Sequence, residues 1–267
     1  MLILKISNYL LKKYILENKE EWDPAGWALH FKLNRRIRGV VVALDLTPAV
    51  LEKALSSDSN LIVTHHPFKF YETWEEEFEY APYKKKIFEA LNENRINVLC
   101  LHTNYDNYKY GTSYQIAKRL DLSENISHFE NTNYPVAIKD VNLPLSNIIN
   151  AIKQQLNLSQ MRTNILNEDI NNKIINNIAI FAGSGSISEI NKVSSDYDLI
   201  ITSDVKWSDW LTYSELQTPI LEISHLSEQA FVYDIYSQLK EHFPDRNISM
   251  VEIDKEPYSN ITLGQKK

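Results

Sequence analysis

The chain has 267 residues, 43% of them apolar, enough to bury a substantial core in one large or two interlocked units, which argues against disorder. Its formal net charge of −7 argues against a broad basic surface that grips nucleic acid, leaving room only for a local patch. A single cysteine excludes an internal disulfide and fits a reducing compartment, and no stretch approaches the roughly 18 continuous apolar residues of a transmembrane helix.

Met1 to Tyr14 carries lysines inside an amphipathic pattern, with no long apolar run or small-residue cleavage site. No targeting segment is expected there, and the simplest expected location is the cytoplasm. The pattern predicts a helix over 3–19, a strand over 38–45, and a helix over 48–56 opened by Thr47 as cap with Pro48 at its first position. Residues 60–64 follow as a short, β-branched, apolar strand closed by Pro67. Tyr71 to Phe78 is acidic and aromatic and reads either as a solvated loop or helix face over a site, or as a lid. Helices are expected over 83–94 and 114–120, with a strand over 96–101 between them. The Asn-rich stretch 123–134 reads as a surface linker that divides an N-terminal part, 1–125, from a C-terminal part, 135–267.

The second part continues the alternation. Helices are expected over 144–157, 187–194, 205–216 and 226–242, and strands over 159–165, 174–182, 198–202, 219–223 and 247–252. Such alternation implies an α/β protein with mostly parallel or mixed sheets, built as two interlocked α/β domains that may share elements from both chain ends.

Three clusters carry the chemistry. His65 and His66 stand directly after the 60–64 strand, where an α/β sheet places its functional groups, in the crevice beyond the carboxyl edge. Neighbouring residues on an extended chain point to opposite faces, so the two imidazoles converge only if the chain turns, or else serve two adjacent ions. The 96–101 strand ends the same way, in His102-Thr103-Asn104-Tyr105-Asp106. Cys100 lies inside that strand and reads as a small apolar filler, not a ligand. Near the C-terminus His225 and Glu228 are three apart and share a face if a helix starts near Ser224, although such a pair alone is commonly solvated. Imidazole and carboxylate donors together suit zinc, iron, manganese or nickel better than calcium or magnesium. Gly183-Ser184-Gly185 follows a strand and could cradle an anion with backbone N–H groups, but it lacks the Lys-Ser/Thr of a P-loop and dinucleotide spacing.

Over most of its length the chain resembles the Ngg-interacting-factor-three-like family, also called GTP cyclohydrolase I type 2 homologues. The resemblance rests on Trp22-Asp23-Pro24-Ala25-Gly26, Val42 to Pro48, Leu61 to Pro67, His102 to Asp106, Gly183-Ser184-Gly185, Thr202-Ser203-Asp204-Val205-Lys206 and Ser227-Glu228, in that order. It implies a two-metal centre with His65, His66, Asp106, His225 and Glu228 as ligands, and His102 as a nearby supporting or proton-transfer group. The family places its C-terminal histidine four residues before the glutamate. Here Ser224 holds that position and His225 is three back, so either His225 still coordinates from a shortened turn or one metal loses a ligand. Ser203 stands where the family commonly has glycine, and Ser208 where it commonly has histidine.

The resemblance also implies the short form without an inserted third domain, and a homohexameric ring with its metal sites facing an inner cavity. Two metals lower the pKa of a bound water and polarise an electrophile, so hydrolysis is the natural chemistry. The family label suggests attack on C8 of a guanine nucleotide, with His102 moving protons and Gly183, Ser184, Gly185 or Lys206 facing the phosphates. The alternative is a metal-binding assembly or regulatory protein that acts through partners without turnover.

Overall fold

The computed structural model describes residues 1–130 and 132–261; Asn131 of the Asn-rich linker and residues 262–267 of the C-terminal part lie outside the described residues. The chain opens with α1 (Ile3–Lys13) and runs through β1 (Gly26–Leu29), β2 (Val40–Ala43), α2 (Pro48–Ser56), β3 (Leu61–Thr64), α3 (Trp74–Tyr80), α4 (Tyr83–Asn94) and β4 (Asn97–Cys100). It continues through α5 (Thr103–Asp106), α6 (Thr112–Arg119), β5 (Ile126–His128), β6 (Val136–Ile138), β7 (Leu143–Pro144), α7 (Leu145–Gln155), β8 (Met161–Thr163) and β9 (Ile174–Ile175). The last elements are β10 (Ile178–Ile180), α8 (Ile187–Val193), β11 (Leu199–Thr202), α9 (Trp207–Glu215), β12 (Ile220–Ile223), α10 (Ala230–His242) and β13 (Ile248–Val251).

Two sheets result. The first has the order β1-β4-β3-β2-β13, with β13, β2, β3 and β4 parallel and β1 antiparallel at the edge. The second has the order β5-β6-β10-β11-β12-β8, with β10, β11 and β12 parallel and the flanking strands antiparallel. This is the mixed α/β architecture the alternation predicts. A ribbon of β7 and β9 stands apart. The last strand, β13, pairs with β2 in the register Ile248 to Val40, so the first sheet takes strands from both ends of the chain.

Side-chain alternation explains why both sheets are covered on two faces. Val40, Val42, Leu61, Val63 and Leu99 pack with α1 and α10 on one side, while Val41, Ala43, Ile62 and Val98 pack with α2 and α4 on the other. In the second sheet Ile178, Ile180, Leu199, Ile201, Leu221 and Ile223 face α6 and α7; Ala179, Ile200 and Ile220 face Ile190 of α8 and Tyr213 of α9. Leu226 packs against the core of each sheet, at the point where α10 is about to begin.

Helix boundaries follow from local chemistry. Thr47 caps α2 by accepting the Val50 N–H, with Pro48 at the first position. The first helix stops at Lys13 instead of 19, because Tyr14 leaves helical geometry and buries its ring against Tyr105 and Tyr108; only a short 3₁₀ turn, Leu16–Asn18, follows. The expected 174–182 strand is two strands. The Asn176 and Asn177 N–H groups both donate to Asp198 Oδ2, at 2.8 and 3.0 Å, which takes these residues out of the ladder and separates β9 from β10. Strands β1, β5, β6 and β7, of two to four residues, are too short to show a period in the sequence, and β5 places part of the stretch expected to be a linker, 123–134, at the edge of the second sheet. No helix among the described residues is long and apolar enough to cross a membrane.

Helix α10 ties the first sheet to the region between the sheets, and Ile235 is fully buried in it. Ile235→Ala should lower unfolding free energy by about 2–5 kcal/mol in a urea titration; a loss under about 1 kcal/mol would show that α10 does not carry this core.

Candidate metal centre

The carboxyl edges of both sheets meet. From the first sheet, β2 delivers Asp45, β3 delivers His65 and His66, and β4 delivers His102 and, through α5, Asp106. From the second, β10 delivers Gly183, β11 delivers Asp204, and β12 delivers His225 and Glu228. Each sheet thus presents the edge at which parallel strands end, the position expected for functional groups.

The chain does turn at the histidine pair. The His66 N–H donates to Leu44 O at 3.0 Å and the His65 N–H to Leu44 O at 3.2 Å, while the Thr64 hydroxyl folds forward onto His66 O. Both imidazoles therefore reach one carboxylate: Glu228 Oε2 lies 2.9 Å from His66 Nε2 and 3.7 Å from His65 Nε2. Asp106 Oδ1 lies 3.6 Å from His65 Nε2 and accepts the Thr112 hydroxyl.

His225 joins them despite its shortened spacing. Residues His225–Gln229 form a 3₁₀ turn, in which i and i+3 stand over one another, so a three-residue spacing does there what four does in an α-helix. His225 Nε2 lies 2.8 Å from Glu228 Oε2 and 3.1 Å from His66 Nε2. Ser224 takes no part; its hydroxyl caps the turn through the Leu226 N–H and donates to Glu256.

Each imidazole is backed through its other nitrogen. His66 Nδ1 lies 2.9 Å from Asp45, His102 Nδ1 lies 3.1 Å from Asp23, and His225 Nδ1 is bonded to Asp204. Asp23 is itself fixed, accepting the N–H groups of Ala25 and Thr103 and the Thr103 hydroxyl. Carboxylates behind imidazoles fix the tautomer and orient the ring, as they do around metal-ligating histidines. Sequence reasoning assigned no role to Asp23, Asp45 or Asp204, although each lies within a stretch that carries the family resemblance.

His65 is the informative case. Its Nδ1 donates to Leu101 O at 2.9 Å, and a carbonyl oxygen can only accept, so the proton is on Nδ1 and the lone pair is on Nε2. Burial, with the neighbouring imidazolium charges adding to it, outweighs Glu228 and pushes the His65 pKa down to about 3, so the ring is neutral. Nε2 is buried without a hydrogen-bond partner and faces two carboxylates. A buried lone pair that faces two carboxylates without a hydrogen bond is unfavourable, and a cation between them removes the conflict. The ligand atoms of His65, His66 and His102 lie within 4.8 Å of one another, as do those of His66, His225 and Glu228, so these groups could hold a metal ion.

The electrostatics point the same way. Burial opposes ionisation of His66, but Asp45 and Glu228 override it and raise its pKa to about 9. Burial likewise opposes protonation of His225, yet Glu228 and Asp204 lift it to about 11. Burial favours the neutral form of Glu228, while His225 and His66 hold it well below the usual carboxylate range; burial and the charge of Glu228 push Asp106 up.

The glycine turn serves the centre differently from an anion cradle. Gly183 has φ +64, and a Cβ there would stand 2.4 Å from Glu228 Oε1, so the glycine makes room for the carboxylate. Gly183 O accepts the Thr202 hydroxyl and the Ser203 N–H, and the Gly185 N–H donates to Thr202 Oγ1. Ser184 and Lys206 are exposed. A cavity of about 620 Å³ opens beside His225 and Asp204, lined further by Arg162, Glu222, Tyr258 and Asn260 but not by Lys206. Ser208 is exposed and bonds only to Asp209 and Thr212.

Comparison with known proteins settles the family. The sequence profile of Duf34/NIF3 (NGG1p interacting factor 3) matches residues 1–257. The chain belongs to the Duf34/NIF3 family. It is 39% identical over 246 residues to a "GTP cyclohydrolase 1 type 2 homolog" of Mycoplasmopsis pulmonis (strain UAB CTIP), covering 88% of this chain and 91% of the relative. It is 32% identical over 260 residues to the protein of the same name from Ureaplasma parvum serovar 3, covering 93% and 95%. Its fold matches the crystal structure of Staphylococcus aureus hypothetical protein SA1388 with TM-score 0.86 at 24% identity, covering 98% and 99% of the two chains. Reduced HcgD from Methanocaldococcus jannaschii shares the Duf34/NIF3 fold at TM-score 0.77 and 20% identity, covering 95% and 98%.

Two outcomes follow for this Duf34/NIF3 centre. Gly183→Ala should weaken zinc or manganese affinity at least about tenfold, with little change in the far-ultraviolet circular dichroism; unchanged affinity in a calorimetric titration would separate Glu228 from metal binding. A metal must displace the protons on His66 and His225, so affinity should fall as pH falls from 9 to 6, on the order of tenfold per pH unit for each proton displaced. A flat profile would contradict protonated imidazoles in the metal-free protein.

Proposed function

We propose that this Duf34/NIF3 protein binds two divalent transition-metal ions, zinc, iron, manganese or nickel, and acts as a hydrolase on a nucleotide-like substrate. The observation that carries the reading is His65 Nε2, a buried lone pair that faces Asp106 and Glu228 and is hydrogen-bonded to neither. Donors on two sides of Glu228, His65 with Asp106 and His66 with His225, support a pair of ions over one. His65, His66, Asp106, His225 and Glu228 would hold them. Such ions supply Lewis acidity, polarising an electrophile and acidifying water.

The protein's own residues supply the rest. Asp23 Oδ1 lies 3.1 Å from His102 Nδ1, which leaves Nε2 for proton exchange, and the ring keeps some access to solvent. This suits His102 to a proton-transfer role. Asp45 and Asp204 hold His66 and His225 against rotation. The relatives' name is the support for a guanine nucleotide as substrate. One observation favours the second reading, a metal-binding assembly or regulatory protein without turnover: the Gly185 N–H, one of the backbone groups expected to face phosphates, donates to Thr202 Oγ1 at the end of β11 instead. In either reading six copies form a ring, as the family resemblance implies.

Elemental analysis, a nucleotide hydrolase screen and light scattering on one purified sample test this. The expected result is about two transition-metal ions per chain, turnover lost in His66→Ala, and a mass near six times 31.1 kDa. Bound metal without turnover selects the second reading, protein that takes up no metal rejects both, and a monomer rejects the ring.

A further inference from the structure

A row of aromatic rings stands exposed beside the centre. Trp22, which is 61% exposed, lies edge-on to His102 with ring centroids 5.8 Å apart and 6.4 Å from Phe70, which is 51% exposed. Phe70 leads to Tyr71 at 6.4 Å, and Tyr71 stacks on the exposed Tyr80 at 4.4 Å. Leaving this much aromatic surface in water forgoes the burial that drives folding, and contiguous exposed apolar surface marks a binding site.

The Phe70–Tyr71 part of the row is tied down by hydrogen bonds. Glu77 is buried in α3; its Oε2 accepts the Phe70 N–H at 2.6 Å and the Tyr71 N–H at 3.0 Å, and Lys84 pairs with its other oxygen. Thr73 and Glu76 close a capping box at the start of that helix. The acidic, aromatic stretch therefore holds the ridge in place. Around it Glu20, Glu21, Glu72 and Glu75 are exposed, which repels a polyphosphate or a nucleic-acid backbone.

We infer that Trp22 and Phe70 form a stacking subsite for a planar, uncharged or cationic heteroaromatic ring of the substrate, held next to His102. The inference rests on the proposed function, because His102 is what joins the ridge to the centre. Aromatic faces suit a flat ring, stacking tolerates many ring types, and the glutamates select against charge of their own sign. A neighbouring copy of the chain is the competing occupant.

The test uses zinc-loaded full-length protein titrated with guanosine, adenosine, uridine, riboflavin and ribose, followed by calorimetry and saturation-transfer nuclear magnetic resonance. At least one heteroaromatic ring should bind saturably and ribose should not. Trp22→Ala and Phe70→Ala should each weaken ring binding by about tenfold, Trp22→Phe should keep most of it, and bound metal should be equal in all variants. Equal ring affinity in both alanine variants, or no ring binding to wild type, overturns the subsite. A reduced assembly mass with ring binding intact overturns it too, assigning the ridge to a neighbouring copy. Wild type without metal is the failure of the proposed function, and ring binding that depends on Trp22 separates the two.

Discussion

One buried carboxylate organises the centre. Glu228 is 5% exposed, and placing an ionised carboxylate out of water costs several kcal/mol unless its charge is met. His66 and His225 meet it directly and His65 faces it from the core, so three imidazoles from two sheets depend on one side chain. Removing it would leave the protonated His66 and His225 rings, with Nε2 atoms 3.1 Å apart, facing each other with only Asp45 and Asp204 behind them to balance their charge. The contact also joins the halves of the chain, since His66 ends β3 of the first sheet while His225 and Glu228 follow β12 of the second.

The surrounding scaffold exists to hold that contact still. Phe231 packs its ring 4.8 Å from His65 and 4.8 Å from Tyr105, filling the space beneath the imidazoles, and Tyr105 donates to Asp234 from the other side. Gly183 gives way where any side chain would collide with Glu228. Asp204 accepts a left-handed backbone, φ +51, which is costly for a residue with a side chain, while its carboxylate holds His225. Polar groups so tightly interlocked are expensive to form and rigid once formed.

Much of this was legible in the sequence. Apolar strands ending abruptly in histidine announced His65, His66 and His102, because a strand end at a sheet edge is where such groups serve chemistry instead of packing. Helix α2, with Thr47 and Pro48, was readable from cap chemistry alone. Other features were not. Asp23, Asp45 and Asp204 look like ordinary turn residues, and their role appears only once the rings they back are oriented; the rule that every ligating imidazole needs an acceptor for its second nitrogen would have been the signal. The 3₁₀ turn that lets His225 serve at three residues from Glu228 depends on tertiary packing around Leu226, which no local pattern encodes. The return of β13 to the first sheet is a long-range pairing of the same kind. The Gly-Ser-Gly turn suggested a phosphate cradle because glycine marks close approach without saying what approaches; here it is Glu228.

The most direct test of the account is anomalous diffraction from crystals grown with zinc or manganese. The account predicts peaks within coordination distance of His65 Nε2 and Glu228 Oε2, absent in Glu228→Gln crystals grown the same way. Density that leaves those atoms without an ion, or ions bound equally well after the glutamate is replaced, would contradict it.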